Sequence, residues 1–176
     1  RVVSGGRLNA FRPLAVRDDV APDRIGDLAV RSTEGARVTL QWTSTGDDGG
    51  TGSAARQELR YSRNPITAAN FATASLASGV PEPMPAGTLQ QMSISGLSFS
   101  SEYYFAILAL DELGNSSPVS NVAQATTLGA PRLDVAPQEL SARVPAGGRS
   151  TAVLTLTNSG ASDLSFEVEV SAVNRT

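Results

Sequence analysis

The sequence predicts an all-β sandwich, on three observations. Apolar and polar residues alternate in short runs, as in Val38, Leu40 and Trp42 against Thr39, Gln41 and Thr43. Sixteen glycines and ten prolines cut the chain into short segments separated by turns. About seven such runs fall within roughly a hundred residues, the strand number and size of a two-sheet sandwich.

Each element follows from its local pattern. Residues 1–16 place Leu8, Phe11, Leu14 and Ala15 near helical spacing, interrupted by Pro13, and predict one short helix; the resemblance of residues 2–15 given below implies that it is the remnant of a preceding domain. Residues 17–26, with Asp18, Asp19, Pro22 and Asp23, read as a linker. The main domain is expected over 27–128. Leu28 and Val30 mark its first strand, Val38 to Trp42 the second, and Leu59 and Tyr61 the third. Asn64-Pro65 ends the third strand, and residues 67–71 suit one helical turn. Pro81, Pro83 and Pro85 keep the next stretch irregular. Met92 and Ile94 mark another strand, residues 102–110 the longest one, and residues 119–127 the last, after a turn at Gly114-Asn115. Residues 128–131 read as a second hinge. Beyond it, Leu154 and Leu156, the turn Asn158-Ser159-Gly160, and the alternation Leu164, Phe166, Val168, Val170 predict a second, incomplete β domain over 131–176. About three strands leave an apolar face and an unpaired edge, so the natural chain is expected to continue past Thr176.

Composition excludes whole classes of chemistry. The 176 residues give room for one full domain and part of another; 40% are apolar and 18% charged. With no histidine, no Ser-His-Asp triad and no His-ligated zinc can be built from this chain. With no cysteine, thiol nucleophiles, disulfides and iron–sulfur ligation are excluded too. The net charge of −3, without a basic patch, argues against nucleic acid as a partner. No apolar stretch approaches the ~20 residues of a membrane span.

Three regions resemble known families. Val38-Thr39-Leu40-Gln41-Trp42, Leu59-Arg60-Tyr61-Ser62, Leu97 followed by Tyr103, and Ser120-Asn121-Val122 together make residues 21–128 resemble a fibronectin type III domain of bacterial extracellular proteins. The loop Gly46-Asp47-Asp48-Gly49-Gly50-Thr51-Gly52 also occurs in bacterial members. The resemblance implies a seven-stranded immunoglobulin-like sandwich. It makes Trp42, Tyr61, Leu97 and Tyr103 structural core, with Tyr103 forming a tyrosine corner. Residues 2–15, with Gly5-Gly6-Arg7-Leu8-Asn9-Ala10, resemble the closing segment of subtilisin-like serine protease domains; no catalytic residue carries over. Residues 133–170, through Pro137, Gly147-Gly148 and Thr157-Asn158-Ser159-Gly160, resemble the opening of an immunoglobulin-like module of bacterial surface proteins.

The candidate sites are few. Asp47 and Asp48, in a glycine-rich loop, are the calcium candidates, although calcium needs six to eight oxygens and a solvated turn explains the pair as well. No other cofactor is implied. In the fibronectin type III arrangement the loop after the second strand and the last hairpin loop share one end. Asp47, Asp48, Asp111 and Glu112 are therefore expected to form an acidic end that could bind a partner. Tyr104 and Leu108, on the outward phase of the longest strand, are a second candidate contact surface. Asn115-Ser116-Ser117 fits the glycosylation pattern.

These readings converge on a non-catalytic spacer, accessory or interaction module of a larger bacterial protein, secreted or on the cell surface. Its expected partners are adjoining domains of the parent chain and a protein or cell-surface partner. One alternative is the C-terminal appendage of a secreted subtilisin-like endopeptidase. Another is carbohydrate or matrix adhesion, which would need exposed aromatics in a chain with only 5% of them.

Overall fold

The computed structural model describes residues 19–144 and 146–169. The helix expected within 1–16 and the last position of the alternation, Val170, lie outside the described residues.

Seven strands build the main body: β1 (Ala29–Glu34), β2 (Arg37–Thr43), β3 (Arg56–Ser62), β4 (Ser75–Leu76), β5 (Leu89–Ile94), β6 (Glu102–Leu110) and β7 (Ala123–Thr126). They form two antiparallel sheets, ordered β1-β2-β5 and β4-β3-β6-β7. Period-two alternation turns Val38, Leu40 and Trp42 of β2 inward, against Leu59 of β3 and Phe105 and Ile107 of β6. All six are fully buried. Each such side chain contributes about 1.5–3 kcal/mol of hydrophobic stabilisation. Tyr61, Tyr103 and Phe105 form an aromatic group at one end of this core, with ring centroids 6.2–6.5 Å apart.

The core is not purely apolar. The indole Nε1 of Trp42 donates to Oε1 of Gln57 at 2.6 Å, and Nε2 of Gln57 donates to Oε1 of Gln90 at 2.7 Å. Ser44 also donates to Oε1 of Gln90, whose own Nε2 donates to the Glu82 carbonyl at 2.8 Å. Gln57 stands on β3 and Gln90 on β5, so this chain of bonds ties one sheet to the other.

Several elements differ from the sequence reading. The stretch read as a linker packs onto the sandwich from Pro22 onward: Ile25 is 2% exposed and belongs to the core. The helical turn falls at Phe71–Thr73, slightly later than expected. The last strand begins at Ala123 rather than Val119, because Pro118 lacks an N–H and serine side chains take over the pairing. Ser117 Oγ accepts from Ala109 N and Ser120 Oγ from Ile107 N, both at 3.0 Å. Asn121 then bridges Leu28, accepting from its N–H at 3.0 Å and donating to its carbonyl at 2.8 Å.

In the second region β8 (Leu133–Ala136) pairs with β9 (Thr155–Asn158). The third strand predicted from Leu164 onward is not formed among the described residues. Phe166 and Val168 stand 56% and 61% exposed there, and among the described residues no strand pairs with that stretch.

Candidate functional site

The loop end of the sandwich brings the sequence candidates into one neighbourhood. Ala55 N donates to the Leu110 carbonyl at 2.8 Å, which sets the β2–β3 loop beside the turn that follows β6. The loop is closed on itself. Gly46 N donates to Gly49 O at 3.0 Å, Asp47 N to Thr51 O at 2.8 Å and Thr51 N to Asp48 O at 3.1 Å. A Cβ at Gly46 would lie 2.2 Å from Thr51 O, so this crossing admits only glycine. The loop is also pinned from outside. Asp23 N donates to Gly49 O and Gly49 N to Ala21 O, both at 3.1 Å, and Ala86 N to Gly52 O at 2.9 Å.

Within this frame the four acidic residues do not behave alike. Asp48 and Glu112 are exposed, and Asp47 is half-buried. Asp111 is only 4% exposed and faces its own turn rather than solvent. Its carboxylate accepts from Leu113 N at 2.9 Å, Asn115 N at 2.8 Å and Asn115 Nδ2 at 2.6 Å. Burial raises the Asp111 carboxyl, but the hydrogen bonds from Asn115, Leu113 and Gly114 outweigh it and hold the carboxyl below its ordinary value. The expected acidic end therefore loses Asp111, because the amides of a tight turn claim its charge. The same contact occupies the side-chain amide of Asn115, the residue of the glycosylation pattern.

Among the described residues no group of three or more carboxylates gathers at one point, so no third acidic side chain joins Asp47 and Asp48. Next to the loop runs a groove of about 550 Å³ whose lining includes Asp23, Ile25, Asp27, Thr45 and Gly50. Asp27 is engaged there, accepting from Thr43 N at 3.0 Å and Thr43 Oγ1 at 2.5 Å. The linker expected over residues 17–26 includes Asp23, which instead returns to the loop beside Pro22, a buried residue bridged to Gly49; nothing in the local sequence signals that return.

Tyr104 and Leu108 do not form a bare outward face. Ile66, Phe71 and Ala106 make a second buried cluster, with Tyr104, Leu108 and Val119 packed around it. The chain between β3 and β4 folds over this side of the sheet. Arg60 holds it there, donating to the carbonyls of Ala72 and Ala74 at 3.0 and 2.9 Å and stacking 5.4 Å above the Phe71 ring. The Tyr104 hydroxyl donates to Glu102 at 2.7 Å; that bond, with burial and the Glu102 charge, raises its pKa.

Of the residues read as core, Trp42 is fully buried and cannot stack on a sugar; Leu97 is 8% and Tyr103 6% exposed, and Tyr61 is half-buried. The Tyr103 hydroxyl accepts from Ser98 N at 3.1 Å, the geometry of a tyrosine corner. Hydrogen bonding with Ser98 lowers the phenol pKa against the opposing effect of burial, and the Arg63 charge adds to the lowering.

No protein-family model matches the chain, and no curated protein sequence matches it. Among solved structures it is similar to the FN1–FN3 domains of chicken CNTN1, at 20% identity and TM-score 0.46, covering 63% of this chain and 34% of that one. It is similar to the fibronectin type III domain of human fibronectin type III domain containing protein 3, at 18% identity and TM-score 0.41, covering 64% and 91%. A variant of FN3tt aligns at 23% identity and TM-score 0.41, covering 61% and 97%. On its own geometry, three strands facing four with Tyr103 closing a tyrosine corner, the fold of the main body is a fibronectin type III sandwich.

Proposed function

We propose that this chain is a non-catalytic spacer or interaction module of a larger bacterial protein, secreted or displayed on the cell surface. One observation carries the reading: a fully packed sandwich runs directly into a second β unit, an arrangement of β modules in series. Such a series separates or presents other domains, and its sandwich resists proteolysis because its strands are paired and its core is closed. Its partners are then the adjoining domains of the parent chain and a protein or cell-surface ligand. The loop end, with Asp47, Asp48 and Glu112, offers the acidic contact. Sequencing the gene on both sides, and fractionating cells that express the full-length product, tests this. A product found in the medium or on the surface is expected; a product confined to the cytosol overturns it.

A second reading makes the chain the appendage of a secreted subtilisin-like endopeptidase. The Gly5-Gly6-Arg7-Leu8-Asn9-Ala10 stretch favours it. An upstream Gly-Thr-Ser nucleophile motif is expected in that case, and an upstream region without protease motifs ends the idea.

A further inference from the structure

The base of the sandwich, opposite the loop end, carries a feature that the hinge reading of residues 128–131 did not anticipate. The connector is held at both ends. Leu128 N donates to the Gly35 carbonyl at 3.0 Å, and Ser100 N donates to the Leu128 carbonyl at 2.9 Å. Gly129 O accepts a short hydrogen bond from Ser162 Oγ, across from the second β unit. Pro131 fixes its own φ.

The turn at residues 158–163 is built to reach this base. Asn158 is its hub: Oδ1 accepts from Arg132 N at 3.2 Å and from Gly160 N at 3.0 Å, while Nδ2 donates to the Ser162 carbonyl at 2.7 Å. Ser159 N donates to Arg132 O at 2.9 Å, so the turn is tied to the connector as well as to itself. Close approach then locks the fit. A Cβ at Gly160 would lie 2.4 Å from both Ala130 O and Arg132 N, and one at Gly129 would lie 3.3 Å from Ala161 Cβ. A Cβ at Gly35, in the β1–β2 turn, would meet Ser162 Oγ at 3.3 Å. Ser162 is 8% exposed, although it sits in a turn of a small, otherwise open β pair. A turn serine is normally solvated; here the burial comes from the first unit.

We infer that the 158–163 turn is a latch that seats the second β unit on the base of the sandwich, so that the two units move as one rigid body at a fixed angle. Units joined by a free connector move independently by default. Here the connector is hydrogen-bonded to Gly35 and Ser100 through Leu128, and the latch to the connector through Gly129 and Arg132. The inference goes beyond the spacer reading and stands without it, because it concerns only the joint.

The chain has no cysteine, so two introduced thiols are unique labelling sites. Gln91→Cys on β5 and Thr157→Cys on β9 are both exposed positions. Spin labels at these sites in the otherwise unchanged full chain give the inter-unit distance distribution by pulsed electron resonance. A single distribution no wider than the labels' own rotamer spread is expected. A broad distribution, as from a freely jointed connector, overturns the inference. Ser162→Arg, which cannot occupy the buried seat, is expected to broaden the distribution severalfold while cross-strand contacts between Val135 and Leu156 persist in nuclear magnetic resonance spectra. If those contacts vanish, Gly129→Val replaces it, since that change crowds Ala161 without touching the β8–β9 pair. A distribution that stays narrow in a latch variant with an intact pair removes the latch from the 158–163 turn.

Discussion

Trp42 and Gln57 show how differently two partners in one contact can be read. The inward phase of Trp42 is plain from its alternation with Val38 and Leu40, and the side chain is fully buried. Gln57 stands in a polar-looking run, Arg56-Gln57-Glu58, where local pattern says surface. Only the facing of the two sheets, a non-local fact, puts its amide beside the indole and Gln90. The consequence is energetic. Gln57→Ala leaves the N–H of the fully buried Trp42 and the Gln90 side-chain carbonyl with fewer partners at the edge of the core. Groups stranded in that way cost about 1–3 kcal/mol. Equilibrium urea unfolding is expected to show stability lower by that amount, seen as a lowered midpoint with an unchanged slope. An unchanged midpoint would mean that water enters and replaces the amide.

At the scale of the element, the strands of the sandwich were legible because each carries its own period-two code, and their ends were less so. β7 starts four residues later than its alternation suggests, where Ser117 and Ser120 donate to β6 through their backbone N–H groups but accept from it through their hydroxyls. The turn before them was legible as a turn, from Gly114-Asn115, but not as the place where Asp111 is consumed. That needs the geometry of three donors converging on one carboxylate. The sign of the resulting pH effect follows from the direction of the shift. Asp111 holds its proton less tightly folded than unfolded, so its contribution is full above the ordinary carboxylate pKa of 3.8 and is lost as pH falls through the lower, folded value. Thermal stability is therefore expected to drop as pH is lowered below about 4. Asp111→Asn keeps an acceptor without the titrating charge and is expected to flatten that part of the profile. Identical acid profiles for the two proteins would show that other carboxylates carry the acid sensitivity.

At the scale of the whole molecule, the two β units differ in what holds them. The sandwich encloses its own core, whereas β8 and β9 form a two-stranded sheet, which is marginal by itself. The alternation from Leu164 to Val170 reads as a strand, yet alternation states only what a strand would bury and not whether a partner exists to bury it. Without that partner, Val153 is 79%, Phe166 56% and Val168 61% exposed, and Leu133 and Val135 stand 40% and 38% exposed. Large apolar side chains exposed in this number draw a partner, a dye or another copy. A chain of these 176 residues is expected to bind an apolar fluorescent dye, and to self-associate with rising concentration in sedimentation. The double change Phe166→Ser with Val168→Ser is expected to lower both signals. It should leave the sandwich's own unfolding transition in place, because neither side chain belongs to that core. Loss of the sandwich transition in the double variant would instead tie the two units into one cooperative fold, through the same joint at Ser162. Absence of dye binding in the unchanged chain would mean that residues 131–169 close over their own apolar face in solution.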